Sequence, residues 1–83
     1  MEKTYTILDK NGLHARPATL LVTACSKSKN DVTMVAKGKE INAKSIMGVM
    51  GLAVAYQESF TIKSDDEEVF AQIDDILTKN NMI

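Results

Sequence analysis

One cysteine, Cys25, and one histidine, His14, stand in a chain of 83 residues. Neither an internal disulfide nor a zinc centre built on these residue types can hold such a chain together. The fold must come from an apolar core, and a chain this short buries only about 60–65% of its unfolded surface. The material for a core is present. Hydrophobic residues make up 45% of the chain and charged residues 25%, the balance of an ordinary globular protein. The expectation is a single domain over residues 1–83, and an unpaired Cys25 fits a reducing, cytoplasmic compartment. No segment approaches about 18 consecutive apolar residues, and MEKTYTILDK has no run of signal-peptide length, so no membrane insertion is expected.

Periodicity divides the chain into short elements. Thr4 to Leu8 alternates, with Tyr5 and Ile7 on one face, as a strand does. Asp9 to Gly12 reads as a turn. From Ala15 to Lys27, Ala18, Leu21, Val22 and Cys25 fall on one face of a helix whose first turn holds Pro17. Val32 to Ala36 and Glu40 to Ala43 read as a hairpin about Lys37-Gly38-Lys39. Ser45 suits the N-cap of a short helix running to Leu52. Ser59 to Lys63 alternates again. Ser64-Asp65-Asp66-Glu67 matches a capping box with Ser64 as N-cap. The helix it opens turns Val69, Phe70, Ile73, Ile76 and Leu77 inward and ends at Asn80 and Asn81. The order β-α-β-β-α-β-α predicts an α+β, two-layer open-faced sandwich: a four-stranded antiparallel sheet with three helices on one face.

Charge is uneven. Residues 1–57 carry eight basic and four acidic side chains, and residues 58–83 two basic and seven acidic. Such asymmetry describes solvated faces, or a basic face for an acidic partner. Nucleic acid is not expected as a partner, because the basic residues are scattered lysines with one arginine, and only four aromatic residues could stack on bases.

The only His, the only Arg and the only Pro lie together in Asn11-Gly12-Leu13-His14-Ala15-Arg16-Pro17-Ala18-Thr19. Gly12 permits a sharp turn, and Pro17 places His14 at or just before a helix start. The first amides of a helix lack internal partners and, with the helix dipole, attract anions. Arg16 adds a positive fork suited to phosphate oxygens. Neutral imidazole is a nucleophile that can take a phosphoryl group as a reactive N–P bond. The residues therefore allow two readings: a cap-region histidine without chemistry, or a phosphoryl carrier. A metal site lacks a second His or Cys, and a hydrolase lacks room for a pocket with an oxyanion hole.

NGLHARPAT resembles the active-site motif of the HPr family, the histidine-containing phosphocarriers of the bacterial phosphoenolpyruvate-dependent sugar phosphotransferase system. Lys44-Ser45-Ile46-Met47-Gly48-Val49-Met50 resembles the second signature of that family, and the element order and the Lys-Gly-Lys hairpin agree along essentially the whole chain. The resemblance implies that His14 is phosphorylated on Nδ1 and that Arg16 assists transfer. Enzyme I would donate, and enzyme IIA domains of sugar transporters would accept. The protein would be a monomeric phosphocarrier, not an enzyme, and would need no cofactor or metal. Ser45 matches a serine phosphorylated by HPr kinase/phosphorylase, a form that accepts phosphate slowly at the histidine and binds a catabolite control protein. Ile46, Met47 and Met50 fall on one side of the short helix, where core packing alone could account for them; the resemblance implies instead that, with Thr19, they border the partner surface, where flexible methionines suit several partners.

The chain departs from the family at three places. Gly51 replaces a small polar residue, Tyr56 to Ser59 lacks a common glycine, and Lys63 to Asp66 is short, implying a tight connection. The family also includes a regulatory paralogue that lacks the histidine and keeps the serine. His14 argues against that role.

Overall fold

Alternating side chains in four short segments build the sheet. In a computed structural model covering residues 1–83, the strands are β1 (Glu2–Thr6), β2 (Val32–Ala36), β3 (Lys39–Asn42) and β4 (Ser59–Ser64). The helices are α1 (Ala15–Ser26), α2 (Ile46–Gly51) and α3 (Glu67–Lys79). The chain order is β-α-β-β-α-β-α, and the strands form one antiparallel sheet in the order β1-β4-β2-β3.

The register puts one set of side chains beneath the helices. Tyr5 faces Phe60 across β1 and β4, their ring centroids 5.4 Å apart, and Met34 lies between Ile62 and Ile41. Tyr5, Met34, Phe60 and Ile62 join Leu21 and Cys25 of α1 and Val69, Ile73 and Leu77 of α3 in a single core. Each fully buried Val, Leu, Ile or Phe contributes about 1.5–3 kcal/mol of transfer free energy. The opposite face of the sheet carries hydroxyls. Thr4 and Thr61 share a 2.8 Å hydrogen bond, as do Thr6 and Ser59. This face stays open, which completes the expected open-faced sandwich.

Several boundaries differ from the expectation, each for a long-range reason. Strand β1 begins at Glu2 because Glu2 to Thr6 pair with Lys63 to Ser59, and no alternation signals Glu2 or Lys3. Ile7 is buried beyond the strand, its N–H donating to Glu58 O at 2.9 Å. The hairpin turn is Lys37-Gly38 alone, with φ of 55° and 76°, and Lys39 already pairs with Ala36. Two left-handed residues match the twist of the strands they join.

The N-cap of α3 is Asp66, not Ser64. Ser64 is drawn into β4, where it pairs with Val32 and its N–H donates to Met1 O at 3.0 Å. Asp66 then accepts from Glu68 N–H at 3.0 Å and from Ser28 Oγ at 2.6 Å, which ties the start of α3 to the end of α1. The capping box is therefore not formed, although Ser64 Oγ still accepts from Asp66 N–H at 3.1 Å. The β4–α3 connection is tight, with only Asp65 and Asp66 between the two elements. Val22 and Ile76, both expected inside, are half-buried at the edges of their helices. No helix is long and apolar enough to cross a membrane.

Candidate functional site

The site begins with the turn that follows β1. Asp9 Oδ1 accepts Asn11 N–H at 2.7 Å and Asp9 O accepts Gly12 N–H at 2.9 Å, which reverses the chain. Gly12 has a φ of 67°. A Cβ there would lie 2.6 Å from Val54 O and 3.0 Å from Ala55 Cα, so both conformation and space demand glycine. Leu13 then turns into the core, its N–H donating to Val54 O at 2.8 Å. The loop that supplies Val54 is itself fastened. Lys37 Nζ donates to Ala53 O at 2.8 Å, and Glu58 Oε1 accepts Ala55 N–H at 2.7 Å. That N–H, together with Lys37, holds the Glu58 carboxyl below its ordinary range.

These contacts deliver His14 to the N-cap of α1 with extended backbone, φ −82° and ψ 179°. Its carbonyl accepts Ala18 N–H at 3.0 Å, while its side chain makes no capping bond and is 41% exposed. The amides of Ala15 and Arg16 have no acceptor, and Pro17 has no N–H to satisfy. No acidic side chain occupies the first turn to neutralise it. Arg16 is exposed and makes neither an ion pair nor a hydrogen bond. An imidazole, a guanidinium and two free amides thus share one helix end. Such an end favours an incoming anion.

Thr19 lies one turn further on, exposed, with Oγ1 donating to Ala15 O at 2.8 Å. Helix α2 packs against α1. Its N-cap is Ser45, whose Oγ accepts Gly48 N–H at 3.1 Å. Val49 is its one buried residue, so Ile46 and Met50 are partly uncovered and Met47 is 84% exposed. His14, Arg16 and Thr19 are gathered on the first turns of α1. Ser45, Ile46, Met47 and Met50 lie on the neighbouring helix.

Two features here have only faint sequence signals. Asp9 Oδ2 lies 3.7 Å from His14 Nε2, a contact that the Asp-x-Asn turn only hints at. Leu20 is 40% exposed on α1 between Thr19 and the core-facing Leu21, and helical periodicity signals it only by its absence from the apolar stripe. Cys25, by contrast, is fully buried, and burial pushes its thiol up to about 11, with Lys44 pulling weakly the other way. It has no part in surface chemistry.

His14 does not line a cavity. The widest surface depression lies among Met1, Glu2, Lys29, Asp31, Lys63 and Asp65.

Residues 1–79 match the family model for PTS-HPr, described as the PTS HPr component phosphorylation site. Among solved structures, the histidine-containing phosphocarrier protein of a Mycoplasma is 34% identical, with a TM-score of 0.93 over 100% of this chain and 98% of that one. The phosphocarrier protein HPr of Bacillus anthracis is 33% identical, with a TM-score of 0.77 over 94% and 93%. Crh, the catabolite repression protein of Bacillus subtilis, is 35% identical, with a TM-score of 0.68 over 90% of each chain. A matching family model along nearly the whole chain, full-length structural agreement and an open helix end with its histidine lead to one conclusion: this chain belongs to the HPr family and is a phosphocarrier of the phosphotransferase system, not an enzyme.

Proposed function

We propose that His14 is the residue that carries the phosphoryl group. It takes the group on Nδ1 from phosphorylated enzyme I and passes it to enzyme IIA domains of sugar transporters in the cytoplasm. The observation that carries this reading is the state of the α1 N-terminus: an exposed imidazole with no capping role, beside two unpartnered amides and a free Arg16.

The chemistry follows from that placement. The Nδ1 lone pair attacks phosphorus as the donor bond breaks. Negative charge spreads over the equatorial oxygens, where the amides of Ala15 and Arg16 and the Arg16 guanidinium can meet it. The phosphoryl group stays at an exposed corner, so the next acceptor can reach it. Thr19, Ile46, Met47 and Met50 form the surface on which partners seat. Exposed methionines offer contact area that adapts to unlike proteins. The protein works as a monomer of one domain, although the Bacillus subtilis relative Crh is described as a swapped dimer.

Ser45 is a second, regulatory site for HPr kinase/phosphorylase, and its phosphorylated form is the one read by a catabolite control protein. Its support is the exposed hydroxyl at the start of α2, a helix packed on α1. A phosphate adds about −1.5 to −2 charge, which opposes an incoming phosphoryl donor.

The deciding experiment mixes the protein with enzyme I and phosphoenolpyruvate. The wild-type chain should acquire acid-labile, alkali-stable phosphate, and His14→Ala should acquire none. Label retained in His14→Ala would remove His14 from the role.

A further inference from the structure

The carrier chemistry leaves one contact of His14 unused. Asp9 Oδ1 and the Asp9 carbonyl are occupied by Asn11 N–H at 2.7 Å and Gly12 N–H at 2.9 Å. Oδ2 has no turn partner and lies 3.7 Å from His14 Nε2; no other carboxylate oxygen comes within 4.0 Å of a ring nitrogen. The Asp9 side chain is only 23% exposed, so water screens the pair less than it does a freely solvated one. The Asx turn also holds the carboxylate in place before any partner arrives.

We infer that Asp9 is a positioning residue for His14: its carboxylate beside Nε2 favours the proton there by charge attraction, keeps the Nδ1 lone pair free for attack, and accepts that N–H in a hydrogen bond once Nδ1 is phosphorylated. The inference rests on the reading of His14 as the acceptor. Which imidazole nitrogen bears the proton is set by the hydrogen bond that the other makes. In acceptance, the Nδ1 lone pair forms the new N–P bond, and the electron pair of the broken bond stays with the donor. No proton leaves, so the ring becomes a cation protonated at Nε2. That charge draws the carboxylate in across the roughly 0.5 Å that separates the present contact from a hydrogen bond. In donation, the N–P bond breaks and its electrons return to Nδ1. A ring still protonated at Nε2 then departs as neutral imidazole rather than as an imidazolate.

The test uses Asp9→Asn, Asp9→Ala and Asp9→Glu. Asn preserves the Asx turn, because its amide oxygen can accept Asn11 N–H, but it removes the charge. The first readout is the tautomer of neutral His14, from two-bond 1H–15N spectra of the unphosphorylated protein in alkaline solution. The wild type should be Nε2–H, with Nδ1–H gaining in both Asn and Ala variants. The second is the rate of phosphoryl acceptance from phospho-enzyme I. It should fall about fivefold in Asp9→Asn, the scale of one partly exposed charge pair, and recover in Asp9→Glu. A wild-type tautomer ratio in Asp9→Asn overturns the inference, because Asp9 would then serve the turn alone. The tautomer measurement needs no donor. Absence of label on the wild-type protein therefore strikes the carrier reading, while the spectra still decide the role of Asp9.

Discussion

Gly12 joins two requirements at one Cα. It has a left-handed φ of 67°, and its missing side chain leaves room for Val54 O, which would sit 2.6 Å from a Cβ. The same carbonyl accepts Leu13 N–H, so the contact that excludes a side chain also aims the chain at the start of α1. Gly12→Ala should cost about 2 kcal/mol and lower Tm by roughly 10 °C, read by calorimetry. It should also slow phosphorylation of His14 at temperatures where the variant is fully folded, because the helix end shifts with the turn. Gly51 contrasts with Gly12, since nothing lies within 4 Å of its absent Cβ. At Gln57 the chain accepts a φ of 69° without glycine. The turn was legible in the sequence, but the carbonyl that makes Gly12 irreplaceable comes from residue 54 and was not.

At the scale of elements, the helix starts are the sequence signals that matter most. Three helices begin with three different solutions: His14 with no side-chain cap, Ser45 capping Gly48, and Asp66 capping Glu68. The uncapped start leaves amide donors free for an anion; the capped ones are locally satisfied. Helix α2 has six residues, too few to hold its shape alone, and depends on Val49 and on its cap. Ser45→Asp keeps an acceptor for Gly48 N–H, so its Tm should stay close to wild type, whereas Ser45→Ala should lose about 1 kcal/mol. With the fold intact, Ser45→Asp should slow phosphorylation of His14 by about tenfold through charge repulsion, measured with enzyme I and phosphoenolpyruvate. An unchanged rate in the folded variant would count against regulation at Ser45. The cap of α3 was misplaced by two residues in the local pattern because Ser64 serves β4 first. Strand pairing outbid a helix cap that looked adequate in isolation.

Across the whole molecule, β4 and α3 join the two ends of the chain. Strand β4 lies between β1 and β2, so β1 gains its only neighbour from residues more than fifty positions away. Edge strand β1 is further fixed to α3. Asp74 accepts from Lys3 Nζ and from Tyr5 OH, each at 2.7 Å. Tyr5 is pushed well above the ordinary tyrosine range by burial first and by Asp74 second, so it remains a donor. For Asp74, burial acts to raise the carboxyl pKa, but the hydrogen bonds from Lys3 and Tyr5 outweigh it and the net shift is downward. A carboxyl depressed in the folded state stabilises above its ordinary value of 3.8 and loses that contribution as pH falls through the folded value. Asp74→Ala should cost about 1 kcal/mol at neutral pH, a modest figure because Lys3 and Asp74 are 46% and 39% exposed. The difference between variant and wild type should shrink below about pH 4 in urea titrations. A gap that stays constant down to pH 2 would assign the loss to packing instead.

Local pattern was enough for the kinds and order of the elements, the main buried faces of α1 and α3, and the arrival of His14 and Arg16 at a helix start. Alternation, helical spacing, Gly12 and Pro17 act over a few residues, and the backbone obeys them before distant parts meet. Long-range packing chose the strand order β1-β4-β2-β3, moved the α3 cap from Ser64 to Asp66, and set Val54 O against Gly12. It also exposed Met47 by using only Val49 of its helix in the core. These outcomes depend on contacts between residues far apart in the chain, whose energies are comparable to local preferences and decide between them.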